Sequence, residues 1–170
     1  SGDMLMHATP RLQADRGLVL AAVDRQGTAL RYASQQLRTD EEIVLRAVAK
    51  SPNAWSHAAP SLQSDRATIL RAVACQAEVA SFIDDDLSRD RKFALALVKQ
   101  NPRCLKSLPL DMRKDAKVVL AALAIDVAVL ESVPDSLRSS KEFMRQAVAQ
   151  DGQALRYAKG GLQSHLELRE

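Results

Sequence analysis

The stretch LQADRGLVLAAVDRQGTALRYASQQLRTDEEIVLRAV, from Leu12 to Val48, decides how this chain is read, because it starts to repeat itself after 25 residues. Leu12, Leu37, Leu62, Leu87, Met112, Leu137 and Leu162 follow one another at that stride without insertion or deletion. Three positions after each landmark stand Asp15, Asp40, Asp65, Asp90 and Asp115, with Ser140 and His165 completing the column. Eleven positions after it stand Val23, Val48, Val73, Val98, Leu123 and Val148. Two columns in one register define six complete repeats, starting at 12, 37, 62, 87, 112 and 137, with partial repeats at both ends.

Within a repeat, an Asp followed by Val19, Leu20 and Val23 is an N-cap ahead of one apolar helix face. The spacing predicts a first helix of about ten residues after each capping residue. It ends at a column of Gln26, Ser51, Gln76, Asn101, Asp126 and Asp151, most of them N-cap types for whatever follows. Gly27 and Gly152 suit the end of that helix, whereas Pro52 and Pro102 suit the first turn of the next. A second, shorter helix carries Ala29, Leu30 and Ala33, or Ala154, Leu155 and Ala158, and Pro60, Pro109 and Pro134 help stop it. Both helices are too short to persist alone in water, so each repeat must be completed by its neighbours. The expected fold is an all-α solenoid of six 25-residue helix-turn-helix repeats forming one domain over residues 1–170, of either hand. His7-Ala8-Thr9-Pro10-Arg11-Leu12 echoes His57-Ala58-Ala59-Pro60-Ser61-Leu62, which places the start of the chain inside a second helix. Its end, Leu166 to Glu170, falls early in a first helix, and neither end reads as a polar cap; a fragment of a longer protein is expected.

Composition agrees with helix. Of 170 residues 46% are hydrophobic but only 4% aromatic, so the core is built from Ala, Val and Leu. Six Gly, six Pro and 26% charged residues exclude collagen and low-complexity disorder. The best apolar run, Val118 to Ile125, is closed by Lys117 and Asp126 and is too short for a membrane span. Cys75 and Cys104 read as thiols of a reducing compartment, and residues 1–11 lack a secretory leader, so a cytoplasmic location is expected; Ser1-Gly2 reads as a vector remnant. The net charge of +3 is too mild to imply nucleic acid by itself.

Several columns are candidates for contact with a partner. Arg16, Arg66, Arg91 and Lys141 directly follow the capping residue, where the helix dipole disfavours a cation. They form either a basic ladder for phosphates or an acidic peptide, or a set of pairs with capping Asp residues and neighbouring carboxylates. Glu41 and Ala116 interrupt the ladder. His7, Tyr32, His57, Phe82 and Tyr157 share a second column, completed by Ser107 and Ser132. Such a row grips a peptide or a base if exposed; the plainer reading, preferred here, packs it between successive second helices. His7 and His57 lie two repeats apart, too far to share a metal. Trp55 shares a column with Leu5, Leu30, Leu105, Leu130 and Leu155 and reads as core, or as a groove-rim residue if its indole N–H is to find a partner. Both cysteines read as small buried hydrophobes. Asp84, Asp85 and Asp86 lack the glycine and glutamate of a calcium loop and read as a solvated turn.

The pattern LxxDxxxVLxAVxxxGxALxYASxxL of the opening stretch, with QDGQALRYAKGGL from Gln150 to Leu162, resembles the helical-repeat family catalogued as domain of unknown function 4116. Between these stretches Phe82-Ile83-Asp84, Ser107-Leu108-Pro109 and Ser132-Val133-Pro134 replace the Tyr-Ala-Ser signature. The resemblance implies a helical-repeat fold and a bacterial, often host-directed, or protist context, with the host cytosol as location for a secreted effector; it implies no catalytic residues. The expected function is a non-catalytic protein-binding or scaffolding module of a larger protein, with no cofactor, no metal, no membrane and an unidentified protein partner. Contact is expected at Arg16, Arg66, Arg91 and Lys141 and at Tyr32, His57 and Tyr157. Two alternatives are nucleic-acid or phosphate-ligand binding through the basic ladder, and an accessory role to an enzyme whose catalytic domain lies outside this chain.

Overall fold

The computed structural model describes residues 2–167, among which every regular element is helical and none is a strand. Six long α-helices, Arg16–Arg25, Glu41–Lys50, Arg66–Cys75, Arg91–Gln100, Ala116–Leu123 and Lys141–Gln150, recur at the repeat stride. Each starts at its column residue, whose extended backbone and side-chain oxygen close the first turn. Asp15 accepts from the Leu18 amide at 2.8 Å and Asp65 from the Thr68 amide at 2.8 Å. Ser140 serves the sixth helix in the same way, accepting from the Phe143 amide at 3.4 Å.

The second element differs in kind from the expected α-helix. It is a six-residue 3-10 helix in every repeat: Gly27–Tyr32, Pro52–His57, Ala77–Phe82, Pro102–Ser107, Val127–Ser132 and Gly152–Tyr157, preceded by Gly2–His7. The reason is a period of three: Gly27, Leu30 and Ala33 are all buried, as are Ala77, Ala80 and Ile83. Residues i and i+3 eclipse one another in a 3-10 helix, so that spacing lines one edge of it. Asn101, Asp126 and Asp151 cap these helices, but Ser51 makes no such bond and Gln76 reaches instead to the Ala49 carbonyl at 3.1 Å.

A third element went unpredicted. Short turns, Pro10–Gln13, Leu37–Thr39, Pro60–Gln63, Asp85–Ser88, Leu110–Lys114 and Asp135–Arg138, bridge one repeat to the next. Pro60 opens its turn, and Pro109 and Pro134 stand at the N-cap of theirs, so these prolines end one helix and start another. The column just after the landmark Leu closes the bridge. Gln63 donates to the carbonyls of Trp55 and Ala58, both at 3.0 Å, and Gln13 to that of Leu5 at 3.1 Å. Arg113 in the same column reaches forward to the Ser132 carbonyl at 3.5 Å. The backbone follows suit, with Ala59 N–H donating to the Arg38 carbonyl at 2.9 Å.

The repeats fall into two compact units, Ser1–Asp84 and Asp85–Glu170. Within each, the long helices pack on one another in chain order and the 3-10 helices form a second row beside them. In the first unit Val19, Val23, Ile43, Val44, Val48 and Ile69 are fully buried between the rows. Trp55 is 1% exposed, so it is core and not a groove rim; in its column the next repeat supplies the small Ala80. Gly27 does not act as a left-handed helix terminator, since only Gly160 and Gly161 among the described residues have positive φ. It is small because a Cβ there would lie 2.2 Å from the Ala47 carbonyl oxygen of the next repeat. At the chain's end, the helix Leu162–Glu167 runs through His165 instead of starting after it, and residues 168–170 of the expected first helix lie outside the described residues.

Two substitutions test this packing. Gly27→Ala must push Glu41–Lys50 away and is expected to cost about 1–3 kcal/mol, read as a lower denaturant midpoint at unchanged slope. Trp55→Ala is expected to cost about 3–5 kcal/mol by the same measurement, as it opens a cavity between two repeats.

Candidate functional site

The basic ladder stands along the starts of the long helices, and two of its arginines, Arg16 and Arg91, face carboxylates. Arg16 pairs through Nε with Asp40, the capping residue of the next repeat, at 2.9 Å, and also with Glu42. Arg91 repeats this with Asp115 at 2.7 Å. Arg66 is exposed and engaged, and Lys141 is exposed. The Arg16 guanidinium beside Asp40 holds that carboxyl below its usual value, helped by the capped Ile43 amide. Burial pushes Asp115 the other way, yet the hydrogen bond from Arg91 leaves it lowered as well. Further pairs join the long helices of the first unit: Arg46 to Asp24, and Arg71 to both oxygens of Glu41 at 2.6 and 2.7 Å. Of the ladder, the charges of Arg16 and Arg91 are thus paired within the array.

The 3-10 row is different. The ring column is not the interior seam the plainer reading expected: Tyr32, His57 and Tyr157 are half-buried, His7 is exposed and Phe82 is 39% exposed. The column residue ends each 3-10 helix, one position after which the chain turns inward at Ala33, Ala58 or Ile83, all buried. Tyr32, His57 and Phe82 thus form a surface row on consecutive 3-10 helices of the first unit, while Tyr157 belongs to the other unit.

Two arginines not singled out by sequence join this row. Arg31 stacks its guanidinium 4.5 Å from the Tyr32 ring centroid and donates to the Tyr32 hydroxyl. Arg156 copies the arrangement on Tyr157, at 5.0 Å from the centroid and 3.1 Å from the hydroxyl. Arg38 lies in the bridging column, its backbone bonded to Ala59, two residues past His57, and its Nε is buried without a partner. Burial, and then the charges of Arg31 and Arg38, hold His57 below its ordinary value, with no carboxylate acting against them. The imidazole is therefore neutral at pH 7 in a locally positive setting. The signal for Arg31 was present in the twice-occurring LRY of Leu30-Arg31-Tyr32 and Leu155-Arg156-Tyr157.

Elsewhere, burial pushes the Cys104 thiol up to about 12, whereas Cys75 is exposed, contrary to the expectation that both are buried. Asp85 to Ser88 form one of the bridging turns, and no three His, Cys, Asp or Glu among the described residues are grouped to hold a metal. No helix among them is long and apolar enough to cross a membrane. A groove of about 500 Å³ lined by Met4, Leu5, Leu12, Leu18 and Ala22 lies on the first repeat. Leu18 is 40% exposed there, against 0% for Ile43 and 3% for Thr68 in the same column.

The Arg16–Asp40 pair makes a pH prediction. A carboxyl lowered by folding contributes stability that is present above its unfolded pKa, about 3.9, and lost as pH falls through the folded value. Arg16→Ala should therefore lower the denaturant midpoint at pH 7 and leave it closer to wild type at pH 3.

Comparison with known proteins places this architecture. A family profile, that of the domain of unknown function 4116, matches residues 65–113 and 115–163. The two matches start at the capping residues Asp65 and Asp115, and each spans nearly two 25-residue repeats, so the family's unit is a pair of them. They include Phe82-Ile83-Asp84 and Ser107-Leu108-Pro109, where the Tyr-Ala-Ser signature is replaced. No curated protein and no solved structure matches the chain. With more than half its length matched in two tandem copies, the chain belongs to the family described as domain of unknown function 4116.

Proposed function

We propose that this chain is a non-catalytic module that binds a protein partner on the 3-10 row of its first unit. The observation that carries the reading is the half-exposed row Tyr32, His57 and Phe82, one ring per repeat on consecutive helices. Neighbouring helices pack roughly 10 Å apart, and an extended peptide advances about 3.3 Å per residue. Successive rings therefore meet about every third residue of a strand laid across them. Rings held rigidly by packed helices lose little side-chain entropy on binding, which is why aromatic residues dominate contact surfaces. The row offers shape and charge in place of a reacting group, since the imidazole of His57 has no carboxylate to orient it as a base. Guanidinium groups beside the rings favour an acidic partner.

A displayed peptide library tests this. Tyr32→Ser and His57→Ser place in the row the residue that Ser107 and Ser132 already supply in other repeats, so the variant chain keeps its fold. Wild type should enrich a peptide class that the double variant binds at least about tenfold more weakly, the loss of about 1.4 kcal/mol. Equal binding to both chains would sink the reading. So would a library that yields nothing while single-stranded RNA is retained with a steep dependence on salt.

A further inference from the structure

We propose that Arg31, Arg38, Tyr32 and His57 together form a site for a phosphate monoester carried by the bound peptide, an inference that rests on the ring row being the peptide surface.

Position comes first. Tyr32 ends one 3-10 helix and His57 ends the next, and these two helices pack directly on each other. Arg38 is fixed between them: its carbonyl accepts from the Ala59 amide at 2.9 Å, just past His57. The same column elsewhere shows where such a guanidinium goes, because Arg113 reaches the carbonyl of Ser132, the residue that stands in the ring column of its own repeat as His57 does in that of Arg38. The Arg31 guanidinium lies over the Tyr32 ring with part of its donor fork spent on the phenol, so other N–H groups of the fork remain.

Charge comes second. Four arginines of the long-helix row have carboxylates: Arg16 has Asp40, Arg46 has Asp24, Arg71 has Glu41, and Arg91 has Asp115. Arg138, in the column of Arg38, has Asp135. Arg31 and Arg38 have no carboxylate within ion-pair reach among the described residues; the buried Nε of Arg38 lacks a partner, a trait it shares with Arg113 and Arg138 of its column. Two guanidiniums whose charges both act on His57, one of them lying against the Tyr32 phenol and neither with a counter-charge, suit a doubly charged oxyanion with three acceptor oxygens better than a carboxylate with two. The last repeat gives an internal comparison: Arg156 stacks on Tyr157, but Gln163 takes the place of Arg38 and is spent on the Arg156 carbonyl at 3.1 Å. That copy has one guanidinium and forms no such site.

The array supplies fold-neutral variants. Arg38→Gln installs the residue found at Gln13, Gln63 and Gln163 in the same column, and Arg31→Ser that of Ser56 and Ser81. Binding is measured by fluorescence anisotropy with two degenerate peptide sets, identical except that one carries phosphoserine and the other serine at the fixed position. Wild type should bind the phosphoserine set about tenfold or more tightly than the serine set, the worth of one good charge-assisted contact. Arg38→Gln and Arg31→Ser should bring that ratio to about one while binding of the serine set persists, and Arg138→Gln should leave the ratio unchanged. Equal binding of both sets by wild type overturns the phosphate site and leaves the peptide surface standing. Binding of neither set overturns both. Stronger competition by phosphoinositide vesicles than by phosphopeptide also overturns the proposal, since it moves the phosphate from a peptide to a membrane.

Discussion

The molecule depends on one constraint: no repeat can bury its own apolar face. A ten-residue α-helix and a six-residue 3-10 helix are each too short to hold together in water, and 3-10 hydrogen bonds are the poorer of the two kinds. Stability therefore comes from the contacts between successive repeats within each unit, and the constant stride keeps these contacts in register. Leu18 shows the converse, being exposed where the residues of its column in the next two repeats are covered. The same constraint explains Gly27: rows that must pack this closely bring the backbone of one repeat onto that of the next.

The spacing of Asp and Val made the long helices and their caps legible, because a capping oxygen and a helical face each demand fixed offsets. The 3-10 helices were harder. Ala29, Leu30 and Ala33 satisfy a helix of either kind, and only burial of Gly27 with Leu30 and Ala33 reveals the period of three. The bridging turns were hidden because their prolines read as stops, whereas Pro60 is also a start. Gln63 and its column were missed for a related reason: a polar residue without periodic neighbours carries no sequence signal until its carbonyl partners are in view.

At the candidate site the columns were visible and their environments were not. Tyr32 and His57 could be paired by counting, but whether a ring column lies inside or outside depends on which edge of a six-residue helix turns inward, and that edge belongs to Leu30 and Ala33. Arg16 and Arg91 were visible as cations in an unfavourable first turn, and the structure supplies the reason: each has a capping carboxylate of the following repeat within reach. The unfavourable dipole is offset by the partner's charge. Arg16, Arg46, Arg71 and Arg91 are thus neutralised along one row, whereas Arg31 and Arg38 by the other have no carboxylate within ion-pair reach among the described residues.

The bridging column separates two demands that usually conflict. Gln13, Arg38, Gln63, Arg113 and Gln163 all occupy it, and a short helical element stands around each, from the three residues of Leu37–Thr39 to the six of Leu162–Glu167. Glutamine and arginine thus stand in for one another at a single column of this chain, so the charge at the joints differs from repeat to repeat while the 25-residue stride does not.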